Sequence, residues 1–159
     1  MARDAITRQY DVAKNLVTLT CEDGKGGYRP GLITFHAKQG KSIDLKKIRE
    51  SITATRLSGG TGMSVTYLEI TALGAVTARD QELLLTVSGC GQQFTLVEEP
   101  TAKGMAQKLR DALGRGEKVT GVTGRVQGWS GVFPVVLREL ANAPAIQTLS
   151  VIDFEVGKK

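Results

Sequence analysis

Residues 31–71 read GLITFHAKQGKSIDLKKIRESITATRLSGGTGMSVTYLEIT, and this pattern predicts a strand, a tight loop, a helix, a glycine-rich loop and a second strand. Ile33 and Phe35 alternate on one side of the first strand. Three apolar residues then repeat at helical spacing, namely Leu45, Ile48 and Ile52. Ser42 precedes them and is expected to cap the helix, since a serine oxygen accepts hydrogen bonds from the first free N–H groups.

The strand before this helix has a predicted partner on its N-terminal side. Residues 16–21 form a short apolar run, and the glycine-rich turn EDGKGG follows at 22–27. We therefore expect residues 16–21 and 31–37 to pair as a hairpin.

The strand after the helix changes its buried face partway along. Up to Tyr67 the apolar residues occupy odd positions, namely Met63, Val65 and Tyr67. From Leu68 onward the apolar and small residues occupy even positions, namely Leu68, Ile70, Ala72, Gly74 and Val76. A slip of one residue turns all later side chains to the opposite face. We predict that one strand serves two hydrophobic cores, with a domain boundary between residues 67 and 68.

The second half of the chain has the element order of a small barrel. The predicted elements are strands at 68–77, 83–87, around Phe94 and Leu96, 118–127 and 149–156, with a helix at 102–113 capped by Thr101 before the fourth strand. Three strands, a helix and two strands resemble an OB-like barrel. Gly121 and Gly124 suit the bends that closing a small barrel requires. Between the last two strands we expect a short helix, with a buried strand at VFPVVL as the alternative.

The register ITFHAKQGKSIDLKKIRESI at residues 33–52 resembles the opening of a heavy-metal-associated domain, the copper-chaperone-like family with a ferredoxin-like βαββαβ fold. That family carries a C-x-x-C pair before its first helix, and in this register the two cysteine positions fall on Lys41 and Asp44. Cu(I) prefers thiolate ligands, which neither residue supplies. The resemblance therefore implies the architecture without the metal, and we expect no cofactor.

The predicted fold class is α+β, with a ferredoxin-like βαβ unit at residues 1–67 fused to a small OB-like β-barrel, with one or two helices, at residues 68–159. A chain of 159 residues with 41% hydrophobic and 23% charged residues is long and apolar enough for two small packed units. The 19 glycines and the 5% aromatic content favour strands and turns over a helical bundle.

The formal net charge is +5, and basic residues concentrate around the predicted helix. Six of them lie between residues 38 and 56, against Asp44 and Glu50: Lys38, Lys41, Lys46, Lys47, Arg49 and Arg56. A basic helix face attracts nucleic acid, acidic lipid or an acidic protein. The alternative is an ordinary solvated face, because Glu50 follows Lys46 at a spacing that allows pairing.

Residue patterns for catalysis are incomplete. The segment GWSG at 128–131 lacks the last glycine of G-x-S-x-G, since position 132 is valine, and His36 is the only histidine. Glu98 and Glu99 point to opposite sides of an extended chain and do not form an acid–base pair. We predict that the protein is not an enzyme.

The predicted function is a non-catalytic interaction module that engages an acidic protein or another anionic surface. The candidate partner-binding residues are Lys41, Lys46, Lys47, Arg49, Arg56 and Trp129. One alternative is a nucleic-acid-binding barrel, although the second and third barrel strands contain only Phe94 as a stacking candidate. Another is residual metal binding through Cys21, Cys90 or His36. The two cysteines lack metal-like spacing and form either one disulfide or two thiols.

No apolar run approaches the ~20 residues that cross a bilayer, and MARDAITRQYDV shows no signal-peptide pattern. The compartment stays open between the cytoplasm and, for a mature exported domain, the outside of the cell. The sequence predicts no particular oligomeric state.

Overall fold

The computed structural model describes residues 18–21, 31–34, 40–54, 67–127 and 146–157. The chain divides into two compact units, Met1–Ser64 and Val65–Lys159. The strand expected to serve two cores begins at Met63, outside the described residues, so the boundary between residues 67 and 68 stays a prediction. The same holds for the helix or strand expected at VFPVVL.

The first unit contains a strand pair followed by a helix. Strand β1 (Thr18–Cys21) pairs antiparallel with β2 (Gly31–Thr34), which confirms the predicted hairpin over its described part. Helix α1 spans Leu45–Ala54. Its predicted apolar stripe is confirmed, since the exposed fractions are 3% for Leu45, 0% for Ile48 and 9% for Ile52. A ferredoxin-like arrangement of these elements stays a prediction.

The second unit is a closed five-stranded barrel with one described helix. Its elements in chain order are β3 (Glu69–Arg79), β4 (Glu82–Val87), β5 (Gln93–Glu98), α2 (Met105–Gly114), β6 (Val119–Val126) and β7 (Gln147–Val156). The strands close in the order β3-β4-β5-β7-β6, and β5–β7 is the parallel pair. The predicted order of three strands, a helix and two strands is confirmed. The described fold is α+β and compatible with a small OB-like barrel.

Alternating side chains fill the barrel. On β3 the even positions Ala72, Gly74 and Val76 are buried while their neighbours are exposed, as the period of two predicts. The other strands contribute buried residues in the same way: Leu83, Leu85, Phe94, Leu96, Val119, Val122, Val126, Leu149 and Val151. Helix α2 packs against β3, β5 and β7 and buries Ala106, Leu109 and Ala112. Each large side chain buried in this way contributes about 1.5–3 kcal/mol of transfer free energy.

Two glycines permit the closest backbone approaches in the barrel. β3 pairs with β6 through residues 69–73 and with β4 through residues 74–79, so Gly74 lies where the strand changes partner. A Cβ on Gly74 would lie 2.2 Å from the backbone oxygen of Thr86, and one on Gly124 would lie 2.4 Å from that of Ser150. The β6–β7 register shifts between Val119 and Gly121 and again between Thr123 and Gly124. Both β6 glycines thus lie at irregularities of the strand register, and their role in bending stays a prediction.

The cap of helix α2 differs from the prediction. The helix begins at Met105, after Gly104 with φ 82°. The Glu98 carboxylate, at the end of β5, accepts hydrogen bonds from the N–H groups of Gly104, Met105 and Ala106. The prediction that Thr101 caps the helix is wrong, because its hydroxyl donates to Glu99 Oε1 at 2.9 Å instead. A carboxylate suits this place, since the free N–H groups give a helix N-terminus a partial positive charge.

Substituting Gly74 tests the close approach on which closure depends. We expect Gly74→Ala to lower the free energy of unfolding by about 1–3 kcal/mol or more, because the new methyl group meets backbone and not a movable side chain. Gly114→Ala is the matched control, since a Cβ there meets nothing within 4 Å. It should be neutral or stabilising by up to ~1 kcal/mol, because alanine favours helix. Urea unfolding followed by circular dichroism measures both; equal effects would contradict the assignment.

Substituting Glu98 tests the link between β5 and α2. We expect Glu98→Ala to cost about 1–2 kcal/mol of unfolding free energy, because three helix N–H groups lose their acceptor. Glu98→Gln should cost less, because the amide oxygen still accepts while the charge is lost. Glu82→Ala, at the exposed start of β4, is the control. Thermal unfolding reports all three, and a Glu98→Ala protein as stable as the control would refute the cap.

Candidate binding surface

The net positive charge of the chain lies in its first unit. Residues 1–64 contain eleven basic and six acidic residues, whereas residues 65–159 contain ten of each, so the first unit carries the whole formal charge of +5. The predicted basic helix thus belongs to the charged unit, and the barrel unit is formally neutral.

Helix α1 separates an apolar side from a basic one. Its stripe of Leu45, Ile48 and Ile52 is buried. Lys46 and Lys47 on the helix, and Lys41 just before it, are exposed. We call these three lysines the basic face. Since the apolar side of the helix is already packed, its exposed side is available for charge-based contacts.

Asp44 caps this helix, and the prediction that Ser42 does so is wrong. The Asp44 Oδ1 accepts a hydrogen bond from the Lys47 backbone N–H at 3.0 Å. Its Oδ2 lies 3.7 Å from Lys47 Nζ, with the side chains 69% (Lys47) and 51% (Asp44) exposed. An ion pair this exposed contributes no more than about 1 kcal/mol. Asp44 directly precedes Leu45, the first residue of the apolar stripe, and that position was the sequence signal for the cap.

Three other predicted partner-binding residues stay predictions. The side chain of Arg49, and Arg56 and Trp129 as a whole, lie outside the described residues. Of the six candidates the structure describes the side chains of Lys41, Lys46 and Lys47, and all three are exposed. Glu50 is exposed on the same helix, so the basic face is interrupted by acidic residues.

The described outer face of β4 and β5 lacks the side chains that bind single-stranded nucleic acid. Its residues between the strand ends are uncharged and non-aromatic: Leu84, Thr86, Gln93, Thr95 and Val97. Phe94 is 2% exposed and belongs to the core, as its alternation with Leu96 predicts. Bases bind single-strand-binding barrels by stacking on exposed aromatic rings in a basic groove. In the described part of these two strands neither feature is present.

The most exposed described aromatic residue of the barrel already stacks on a cation. Tyr67 is 43% exposed, and the Arg125 guanidinium lies 4.5 Å from its ring centroid. Arg125 Nε lies 3.6 Å from Glu69 Oε2 across the β3–β6 pair. The three side chains form a cross-strand cluster of the kind that contributes modestly to sheet stability.

The described carboxylates and thiols that are candidates for catalysis or metal binding do not form one cluster. Glu98 caps α2, whereas Glu99 is 7% exposed and accepts hydrogen bonds from Thr101, so the two do not act as a pair. Cys90 is a free, partly buried thiol in the β4–β5 turn. Within the described ranges no three His, Cys, Asp or Glu residues converge as metal ligands. His36 and the Cys21 side chain lie outside those ranges.

No helix in the described part of the chain is long and apolar enough to span a membrane.

Removing the Asp44 carboxylate tests the observed cap. We expect Asp44→Ala to destabilise the first unit by about 1 kcal/mol, because the first turn of α1 loses its acceptor. Ser42→Ala should change stability by no more than a few tenths of a kcal/mol, since the cap lies elsewhere. Amide hydrogen exchange over residues 45–50 reports the opening of this turn. If Ser42→Ala destabilised the first turn more than Asp44→Ala does, the result would contradict the Asp44 cap and support a cap by Ser42.

Comparison of the chain with protein-family models, with curated proteins and with solved structures gave no match.

Proposed function

We propose that the protein is a non-catalytic interaction module that binds an anionic partner, foremost an acidic protein, through the basic face of α1. The observation that carries this proposal is the exposure of Lys46 and Lys47 on a helix whose apolar side is buried, with exposed Lys41 in the segment before it. The concentration of the whole formal charge in residues 1–64 supports it. Arg49 and Arg56 extend the proposed site, and Trp129, in the second unit, is proposed as a separate partner-binding residue.

The burial of the apolar stripe favours a protein over a lipid surface. A helix that lies in a membrane interface buries its apolar side in the acyl region. In α1 that side is packed, with Ile48 at 0% exposure. Only its charges are left to attract a partner, and their effect reaches about 10 Å at 0.1 M salt.

The charge pattern favours a protein over a nucleic acid. Asp44 and Glu50 alternate with the lysines on the exposed side. A phosphate backbone is uniformly negative and is repelled by such acidic residues, whereas a folded protein can place basic groups opposite them. The described outer face of β4 and β5 has no basic or aromatic side chain and gives the barrel no second reason to bind bases.

The proposed architecture is a heavy-metal-associated-like, ferredoxin-like unit without its metal site, followed by an OB-like barrel. Strand β2 followed by α1 matches the first strand and helix of that layout and supports the first part. At the family's cysteine positions, Lys41 is exposed and Asp44 caps the helix, so both have roles that need no metal. The closure order β3-β4-β5-β7-β6 supports the second part.

The test replaces the three lysines of the basic face with glutamine, which removes their charges and keeps a long polar side chain. A fluorescent polyglutamate peptide serves as a minimal acidic probe: it measures the attraction of the lysines, which Asp44 and Glu50 oppose as they do for a phosphate backbone. Binding is followed by anisotropy at low salt. We expect Lys41→Gln/Lys46→Gln/Lys47→Gln to weaken binding roughly tenfold, since three exposed ion pairs at about 0.5 kcal/mol each are lost. Affinity of the unchanged protein should also fall as salt rises.

The matched control removes the same charge from the barrel at three exposed lysines, through Lys103→Gln/Lys108→Gln/Lys118→Gln. This variant should keep its affinity. Equal weakening in both variants, or no polyglutamate binding at low salt, would refute the proposal. Two results together would favour the nucleic-acid alternative. A labelled single-stranded oligonucleotide would bind the unchanged protein more tightly than polyglutamate does, and the barrel variant would lose this oligonucleotide binding.

A further inference from the structure

A second charged surface lies on the outside of the barrel, where β3, β6 and β7 run side by side. The register places Leu73, Gly121 and Glu155 in one row across these strands, and Thr71, Thr123 and Asp153 in the next. Paired positions of a sheet share a face, so these six residues lie together on the outer side. We call them the acidic face.

The acidic face has two carboxylates and no basic side chain in its two rows. Asp153 and Glu155 are both exposed. The nearest cation along β6, Arg125, is engaged with Glu69 at 3.6 Å and stacks on Tyr67. The acidic face therefore stays negative inside a unit that is formally neutral.

An exposed leucine lies at the edge of these carboxylates. Leu73 is 59% exposed, the largest fraction among the exposed large apolar residues of the described chain. Its Cδ2 lies 3.1 Å, and Glu155 Oε2 3.6 Å, from the place where a Cβ on Gly121 would be. The missing side chain of Gly121 thus lets a leucine and a carboxylate lie over β6 side by side. An apolar patch bordered by acidic groups suits the methylene stems and ammonium groups of lysines.

The chain itself carries such lysines. Lys46 and Lys47 project from α1, in the unit that holds the whole net charge of +5. We propose that the acidic face binds the basic face of a second copy of this chain. The inference rests on the proposed function and names the anionic partner of α1 as the barrel of another copy.

The two faces are different surfaces, so each contact joins the helix of one copy to the barrel of another. Two copies that exchange both contacts close a two-fold dimer. Copies joined by one contact keep one free face of each kind, and association then continues to larger rings or longer assemblies as concentration rises. Because the contact is largely electrostatic, it weakens with salt.

Sedimentation velocity of the full chain tests this association. We expect self-association at about 0.01 M salt, where charges interact over ~30 Å, and a monomer near 1 M, where the range is ~3 Å. The acidic-face variant Asp153→Lys/Glu155→Lys and the basic-face variant Lys46→Glu/Lys47→Glu should each associate roughly tenfold more weakly. Leu73→Ala should weaken association several-fold without a change of charge.

Mixing the two charge-reversal variants should restore association, because each supplies the intact face that the other lacks. The control Glu82→Lys/Asp111→Lys makes the same charge change at exposed positions elsewhere on the barrel and should associate like the unchanged protein. A monomer at low salt would overturn the inference, and so would a mixture that stays monomeric. If polyglutamate binding still depends on the three lysines in that case, the proposed function stands without this partner.

Discussion

The barrel depends on the close approach of β3 and β4 at Gly74. At this residue β3 leaves β6 and begins to pair with β4, and the Thr86 oxygen occupies the space of a side chain. One curved strand thereby has both neighbours that closure needs. The acidic face follows from it, because closure determines which residues of β3, β6 and β7 share a face.

Much of the barrel could be predicted because its strands have a strict period of two. Phe94 and Leu96 alternate with Gln93, Thr95 and Val97, and their face is buried. Leu83 and Leu85 are buried in the same way, although Leu84 between them is equally apolar. The caps of α1 and α2 could not be predicted as well. Glu98 lies on a strand, eight residues before Ala106, and only the turn between them brings its carboxylate to the helix. The sequence does not distinguish Asp44 from Ser42 as the cap of α1, because both side chains can accept the hydrogen bond. Which of them does so depends on where the first turn begins.

The basic surface was predictable from sequence only in part. Helical spacing identified Lys46 and Lys47, because a buried stripe at helical period leaves the other positions exposed. Lys41 lies before the helix and was identified only by its place in the basic segment. The acidic face was not visible in the same way. Leu73 and Glu155 are 82 positions apart in the chain, and only the register of β6 with both neighbours brings them together. Surfaces within one helix can be derived from local periodicity, whereas surfaces across strands require the pairing.

Closure of the sheet also decides how any partner recognises the barrel. Each of the five strands has a neighbour on both sides, so none of them is an edge strand of the kind to which an extended peptide adds. Closure therefore favours recognition of the barrel through exposed side chains over main-chain pairing, and single substitutions on its exterior can change which molecule is accepted.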